Sequence, residues 1–124
     1  MNVLAWILSG VLAAVFLASG ALKLTTAREK LLANPRMGWA NDFPDPQVRT
    51  IGALEVLAAI GLILPWLLDV ARVLTPLAAV GLAIVMAGAG AVHGRRGELK
   101  EAGPVVTVLF VAAVVVAIIR FTQL

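Results

Sequence analysis

Apolar residues come in four long runs, 3–22, 51–68, 73–92 and 104–119, separated by segments rich in charge, proline and glycine. Each run is close to the ~20 residues with which an α-helix, rising ~1.5 Å per residue, crosses a ~30 Å hydrocarbon core. None shows the alternation over about ten residues that marks a strand of a membrane barrel. The pattern predicts an all-α fold, an integral membrane four-helix bundle. It forms a single transmembrane domain over residues 1–124, with helices at about 3–24, 48–68, 71–93 and 103–123.

Breakers set the boundaries. The connection from Thr25 to about Gln47 holds Pro35, Gly38, Pro44 and Pro46, which oppose a long continuous helix. Pro65 falls in the last turn of the second span and should bend or end it, and a tight turn is expected around Asp69. Pro76 sits in the first turns of the third span, where a missing N–H costs little. The fourth span is expected to begin at Gly103 or Pro104. The first run lacks the basic flank of a signal peptide and is read as a span.

Composition agrees: 61% of the 124 residues are hydrophobic and 14% charged, too apolar a balance for a soluble domain of this size. Cysteine is absent, so the chain performs no thiol exchange, and any redox role must use a bound cofactor or a partner. Lys23, Arg28, Lys30, Arg36, Arg49, Arg95, Arg96 and Lys100 fall on the side of the two longer loops, against Arg72 and Arg120 on the other. The positive-inside rule then makes the longer loops cytoplasmic and puts both termini outside. This topogenic role accounts for the net charge of +3, so no nucleic-acid partner is expected. Trp6 and Trp66 fall at the outer interface, where Arg120 is expected to reach headgroups as an anchor. Small residues at four-residue spacing, Gly10-Ala14-Ala18 and Gly81-Val85-Ala89, are candidate faces for a homo-oligomer.

Glu55 is the sharpest chemical signal. With the second span starting near Val48 or Thr50, it lies roughly 7 to 10 Å inside, where a lipid-facing carboxylate is costly. It should face the bundle, and Gly52 and Ala59, at i−3 and i+4, leave room for a neighbouring helix. Lys23, preceded by Ser19 and Gly20, either reaches Glu55 or snorkels to headgroups. His93 can exchange a proton near neutral pH, or simply close the third span at the interface. Arg49 is suited to topology or to pairing with Asp42, Asp45 or a lipid phosphate. Trp39 and Phe43 form a candidate lid, with Glu98 in the second loop. A carboxylate, a base and an imidazole on one side fit the polar head of a quinone, isoprenoid or lipid whose tail lies between helices, and Lys23, Glu55, His93, Ser19 and Arg49 are the candidate ligand-binding residues. No metal site is assigned: Glu55 and His93 give two ligands, and a third must come from Asp42, Asp45 or Glu98. Ser19 beside Lys23 lacks an orienting third group, so no catalytic residue is assigned and enzymatic activity stays open.

Several blocks of the chain resemble the DoxX-like family of small four-helix bacterial membrane proteins. They are Phe16 to Leu24 around Ser19-Gly20 and Lys23, Arg49-Thr50-Ile51-Gly52-Ala53-Leu54-Glu55, Gly61 to Pro65, Thr75 to Leu82, and Met86 to Glu98 around His93. The resemblance carries Ser19, Lys23, Arg49, Glu55, His93, Arg95 and Glu98 as polar marks, and Gly20, Gly52 and Pro65 as structural ones. It implies a multi-pass protein of the bacterial inner membrane. Relatives include membrane subunits linked to thiosulfate:quinone oxidoreductase and proteins of oxidative-stress or thiol-redox complexes. The expectation is a quinone- or lipid-binding accessory subunit of a membrane redox system, in contact with membrane lipids and a membrane or peripheral oxidoreductase. It would hold no covalent cofactor but a quinone or isoprenoid lipid. The alternatives are a small proton-coupled transporter built on Glu55, against which stand Lys23 in the first span and the lack of tyrosine, and a purely structural membrane partner.

Overall fold

The computed structural model describes residues 1–124, apart from the side chains of Pro35, Arg36, Asn41 and Asp42. In chain order it contains α1 (Asn2–Thr25), α2 (Arg28–Ala33), a 3-10 helix (Pro35–Asp42), α3 (Asp45–Leu67), α4 (Leu74–Arg95) and α5 (Leu99–Thr122). The four long helices have 22 to 24 residues and are apolar enough to cross a membrane. Their length, roughly 33 to 36 Å, spans a hydrocarbon core. The fold is therefore an all-α, four-helix transmembrane bundle.

Apolar residues cover both the inside and the outside. Leu12, Phe16, Leu62, Leu82, Met86 and Val116 fill the core, while Ile7, Val11, Leu57, Ile84, Val108 and Ile118 point outward. Helices apolar all round are suited to lipid, which asks for no polar face. α1 packs chiefly on α3 and α4 on α5; contacts of α3 with α4 and of α1 with α5 close the ring. Because the chain reverses at each connection, every neighbouring pair is antiparallel.

Glycine sets the closest approach. A Cβ added to Gly20 would lie 2.5 Å from the Gly52 carbonyl oxygen, and one on Gly52 would lie 2.7 Å from Lys23 Cβ. The backbones of α1 and α3 thus meet at the room expected beside Gly52, at the level of Lys23 and Glu55. On the next pair, Thr75 Oγ1 donates to the Gly61 carbonyl at 2.8 Å. Of the two small-residue faces, Gly10, Ala14 and Ala18 point outward, whereas Val85 and Ala89 pack against the core.

Three local features differ from expectation. The first long connection folds into α2 and the 3-10 helix. α5 begins at Leu99, before Pro104, because the hydrogen bond that Pro104 forfeits would go to the Lys100 carbonyl in the helix's exposed first turns. Arg120 does not reach for headgroups: it is fully buried and donates to Asn2 Oδ1 and Gln123 Oε1, each at 2.8 Å. Its Cζ lies 4.4 Å from the Trp66 ring centre and 5.0 Å from that of Trp6, and Arg72 lies 3.9 Å from the Trp66 ring. Indole faces and amide oxygens thus take the place of headgroups around a guanidinium.

The crossing of α1 and α3 predicts a selective effect of single methyl groups. Gly20→Ala should destabilise the bundle by about 1–3 kcal/mol, because backbone must move to admit it. Gly10→Ala and Gly81→Ala meet nothing within 4 Å and should not destabilise. Thermal unfolding in detergent measures the difference, and equal midpoints for Gly20→Ala and Gly81→Ala would contradict the tight crossing.

Candidate functional site

α1 carries Lys23 in its last turn and α3 carries Glu55 ten residues after its first, so the antiparallel pair brings them level. Because α3 begins at Asp45, Glu55 lies about 15 Å along its helix, deeper than a start near Val48 implies. Lys23 Nζ is 2.7 Å from Glu55 Oε1, and the two side chains are 7% and 3% exposed. The ammonium also donates to Ser19 Oγ at 2.6 Å, one turn back along α1. Glu55 Oε1 is buried, and its contact with Lys23 is an ion pair without the alignment of a hydrogen bond.

This pair forms the polar end of a cavity of about 470 Å³, whose other walls are largely apolar. Val15 and Phe16 of α1, Ile51 of α3, Met86, Gly88 and Ala89 of α4 and Leu109 of α5 line it. Ligand cavities of this size, apolar with a few convergent polar groups, suit small molecules and cofactors. Met37, Trp39 and Phe43 from the first long connection complete the wall.

That connection is held as a small core of its own, where Leu31, Met37, Ala40 and Val48 are buried together. Arg28 Nη2 donates to the carbonyls of Ala40, at 3.2 Å, and Phe43, at 2.9 Å, clamping the segment that presents the aromatics. Trp39 and Phe43 meet edge to face with ring centres 5.9 Å apart, and Lys23 Nζ lies 5.7 Å from the Trp39 ring centre.

Ser19, Lys23, Glu55, His93, Trp39 and Phe43 all line the one cavity. His93, however, is bonded away from Glu55: its Nδ1 lies 2.9 Å from Glu98 Oε1, which also accepts from Arg96 Nε at 3.2 Å. The hydrogen bond from His93, opposed by partial desolvation and helped by the charge of Arg96, holds the Glu98 carboxyl below its ordinary 4.5. Glu98 therefore fixes the α4–α5 connection and sets the imidazole at the cavity wall. Arg49 does not line the cavity. Its Nε pairs with Asp45 Oδ2 at 2.9 Å and its Nη1 donates to the Leu24 carbonyl at 2.8 Å, joining the start of α3 to the end of α1. The Asp42 side chain lies outside the described residues.

Sequence reasoning passed over Met37 and Arg28. Neither carries a local signal, since the clamp spans 12 and 15 residues. Among the described residues, no group of three or more His, Asp or Glu side chains is placed to hold a metal ion. Lys23 donates to Ser19, the reverse of the general-base contact that activates a hydroxyl. The arrangement is equipped to hold a polar head beside an apolar tail.

The DoxX-like family matches residues 7–117, most of the chain, and the protein belongs to that family. No curated protein and no solved structure matches it.

Burial of the Lys23–Glu55 pair predicts strong non-additivity. Lys23→Met strands a carboxylate and should cost about 3–5 kcal/mol, while Lys23→Met/Glu55→Leu, which removes both charges, should return close to wild type. Equilibrium unfolding of wild type, Lys23→Met, Glu55→Leu and the double variant in mixed micelles closes the cycle, and additive losses would mean that the pair is solvated.

Proposed function

We propose that this DoxX-like membrane protein binds an amphipathic, membrane-soluble ligand, a quinone or isoprenoid lipid, as an accessory subunit of a membrane redox system. The observation that carries the reading is the cavity itself: a largely apolar chamber inside a lipid-embedded bundle, with one buried ion pair at its polar end. A water-soluble metabolite would leave most of those walls unsatisfied. A lipid tail can leave the chamber between helices and continue among the acyl chains. Since the chain has no cysteine, electrons must pass through the ligand or a partner oxidoreductase. The Lys23 contact also disfavours a proton-coupled carrier, which needs Glu55 free to exchange a proton for a cationic substrate. The charge asymmetry of the loops supports a cavity that opens near the cytoplasmic side, under a lid formed by Trp39 and Phe43.

Native mass spectrometry of protein in mild detergent, followed by extraction of what it retains, tests the reading. Wild type should keep a stoichiometric quinone or isoprenoid. Gly88→Leu should lose it without unfolding, since Gly88 lines the cavity and nothing within 4 Å opposes its Cβ. Retention of bulk phospholipid alone by both proteins would overturn the reading. A reporter fused to the C-terminus should be active only outside the cytoplasm; cytoplasmic activity would reverse the orientation.

A further inference from the structure

The polar end of the cavity restricts its ligand more narrowly than the term amphiphile does. Its fixed charges cancel, because Lys23 and Glu55 are in contact and His93 is engaged with Glu98. An anionic head would have to draw Lys23 from Glu55, and a cationic head would do the reverse. Either leaves a buried charge uncompensated, which is the costly way to break an ion pair. The ligand head should therefore be uncharged.

Unused hydrogen-bonding capacity narrows it again. A carboxylate offers about four acceptor positions, and among the described residues Lys23 occupies Oε1 of Glu55, leaving Oε2 of this cavity-lining residue without a donor. Ser19 Oγ accepts from Lys23, while its own proton has no acceptor among the described residues. An ammonium has three N–H groups, and here one is committed to Ser19. The site therefore offers donors at Lys23 and Ser19 and a free acceptor at Glu55 Oε2. A head with carbonyl oxygens alone serves Lys23 and Ser19 but leaves Glu55 unserved. A head with a hydroxyl serves both sides.

Resting on the reading of the cavity as an amphiphile site, we propose that it selects an uncharged, hydroxyl-bearing ring on an apolar tail. It takes the reduced, hydroquinone form of a quinone couple in preference to the oxidised carbonyl form. Trp39 and Phe43, which both line the cavity, supply aromatic surface for such a ring. Preferential binding of the reduced form makes the bound quinone easier to reduce, each tenfold in affinity raising the two-electron potential by about 30 mV.

The test is a calorimetric titration of the full-length protein in nanodiscs of neutral phospholipid, under anaerobic conditions. Four probes share one decyl chain length: a hydroquinone, its quinone, its dimethyl ether and a fatty acid. The hydroquinone should bind about tenfold or more tighter than the quinone and the dimethyl ether, which keeps the ring but lacks the hydroxyl protons. The fatty acid should be weakest. In Lys23→Met/Glu55→Leu, which removes both charges together, the three ring probes should converge to within about twofold. If quinone and hydroquinone bind equally to wild type and Gly88→Leu blocks both, the selectivity is refuted while the amphiphile site stands. If no probe binds above empty nanodiscs, the amphiphile site is refuted as well.

Discussion

A carboxylate in the interior of a membrane bundle must be compensated where it stands, and much of this fold can be understood from how Glu55 is compensated. The compensation comes from a neighbouring helix and not from water. α1 and α3 can bring a lysine and a glutamate to 2.7 Å only because glycine replaces side chain at their crossing. Gly20 and Gly52 therefore act on the charge pair through the helix crossing, with Gly52 lying directly against the base of the Lys23 side chain. The ion pair, in turn, gives the cavity a polar end that neither solvent nor headgroups need to supply.

The two ends of the bundle treat basic side chains differently. Near the loops, Lys23 is paired with an acid and borders open volume. At the opposite end Arg120 has no acidic partner within salt-bridge distance among the described residues, and it is closed in by Trp6, Trp66, Asn2 and Gln123. Guanidinium tolerates this because its charge is delocalised and it stacks on aromatic faces, whereas the compact ammonium of a lysine prefers a carboxylate. One end borders a cavity, and the other is closed by aromatic side chains.

The four spans could be read from sequence because lipid imposes length and composition on each, independently of partners. Glu55 was conspicuous for the same reason: a charge within such a run is rare enough to announce a site. Features that depend on distant contacts were not legible. The burial of Arg120 requires Asn2, 118 residues earlier, and a terminal arginine otherwise reads as a snorkelling one. The partner of His93 hinged on the geometry of the loop through Gly97, whose φ of +71° turns Glu98 back toward the imidazole. The order within the Trp39–Phe43 segment came from Arg28, a residue whose charge alone suggested topology. The family resemblance extended the fold reading over the chain but did not select among ligands.

The contact between Asn2 and Arg120 gives the bundle a temporal order. α3 reaches the membrane before α4 and α5, so Lys23 and Glu55 can pair early. The bond that joins the first turn of α1 to the last turn of α5 must wait until α5 is in place. The buried pair can therefore act as the seed of assembly, and the arginine as the latch that closes it.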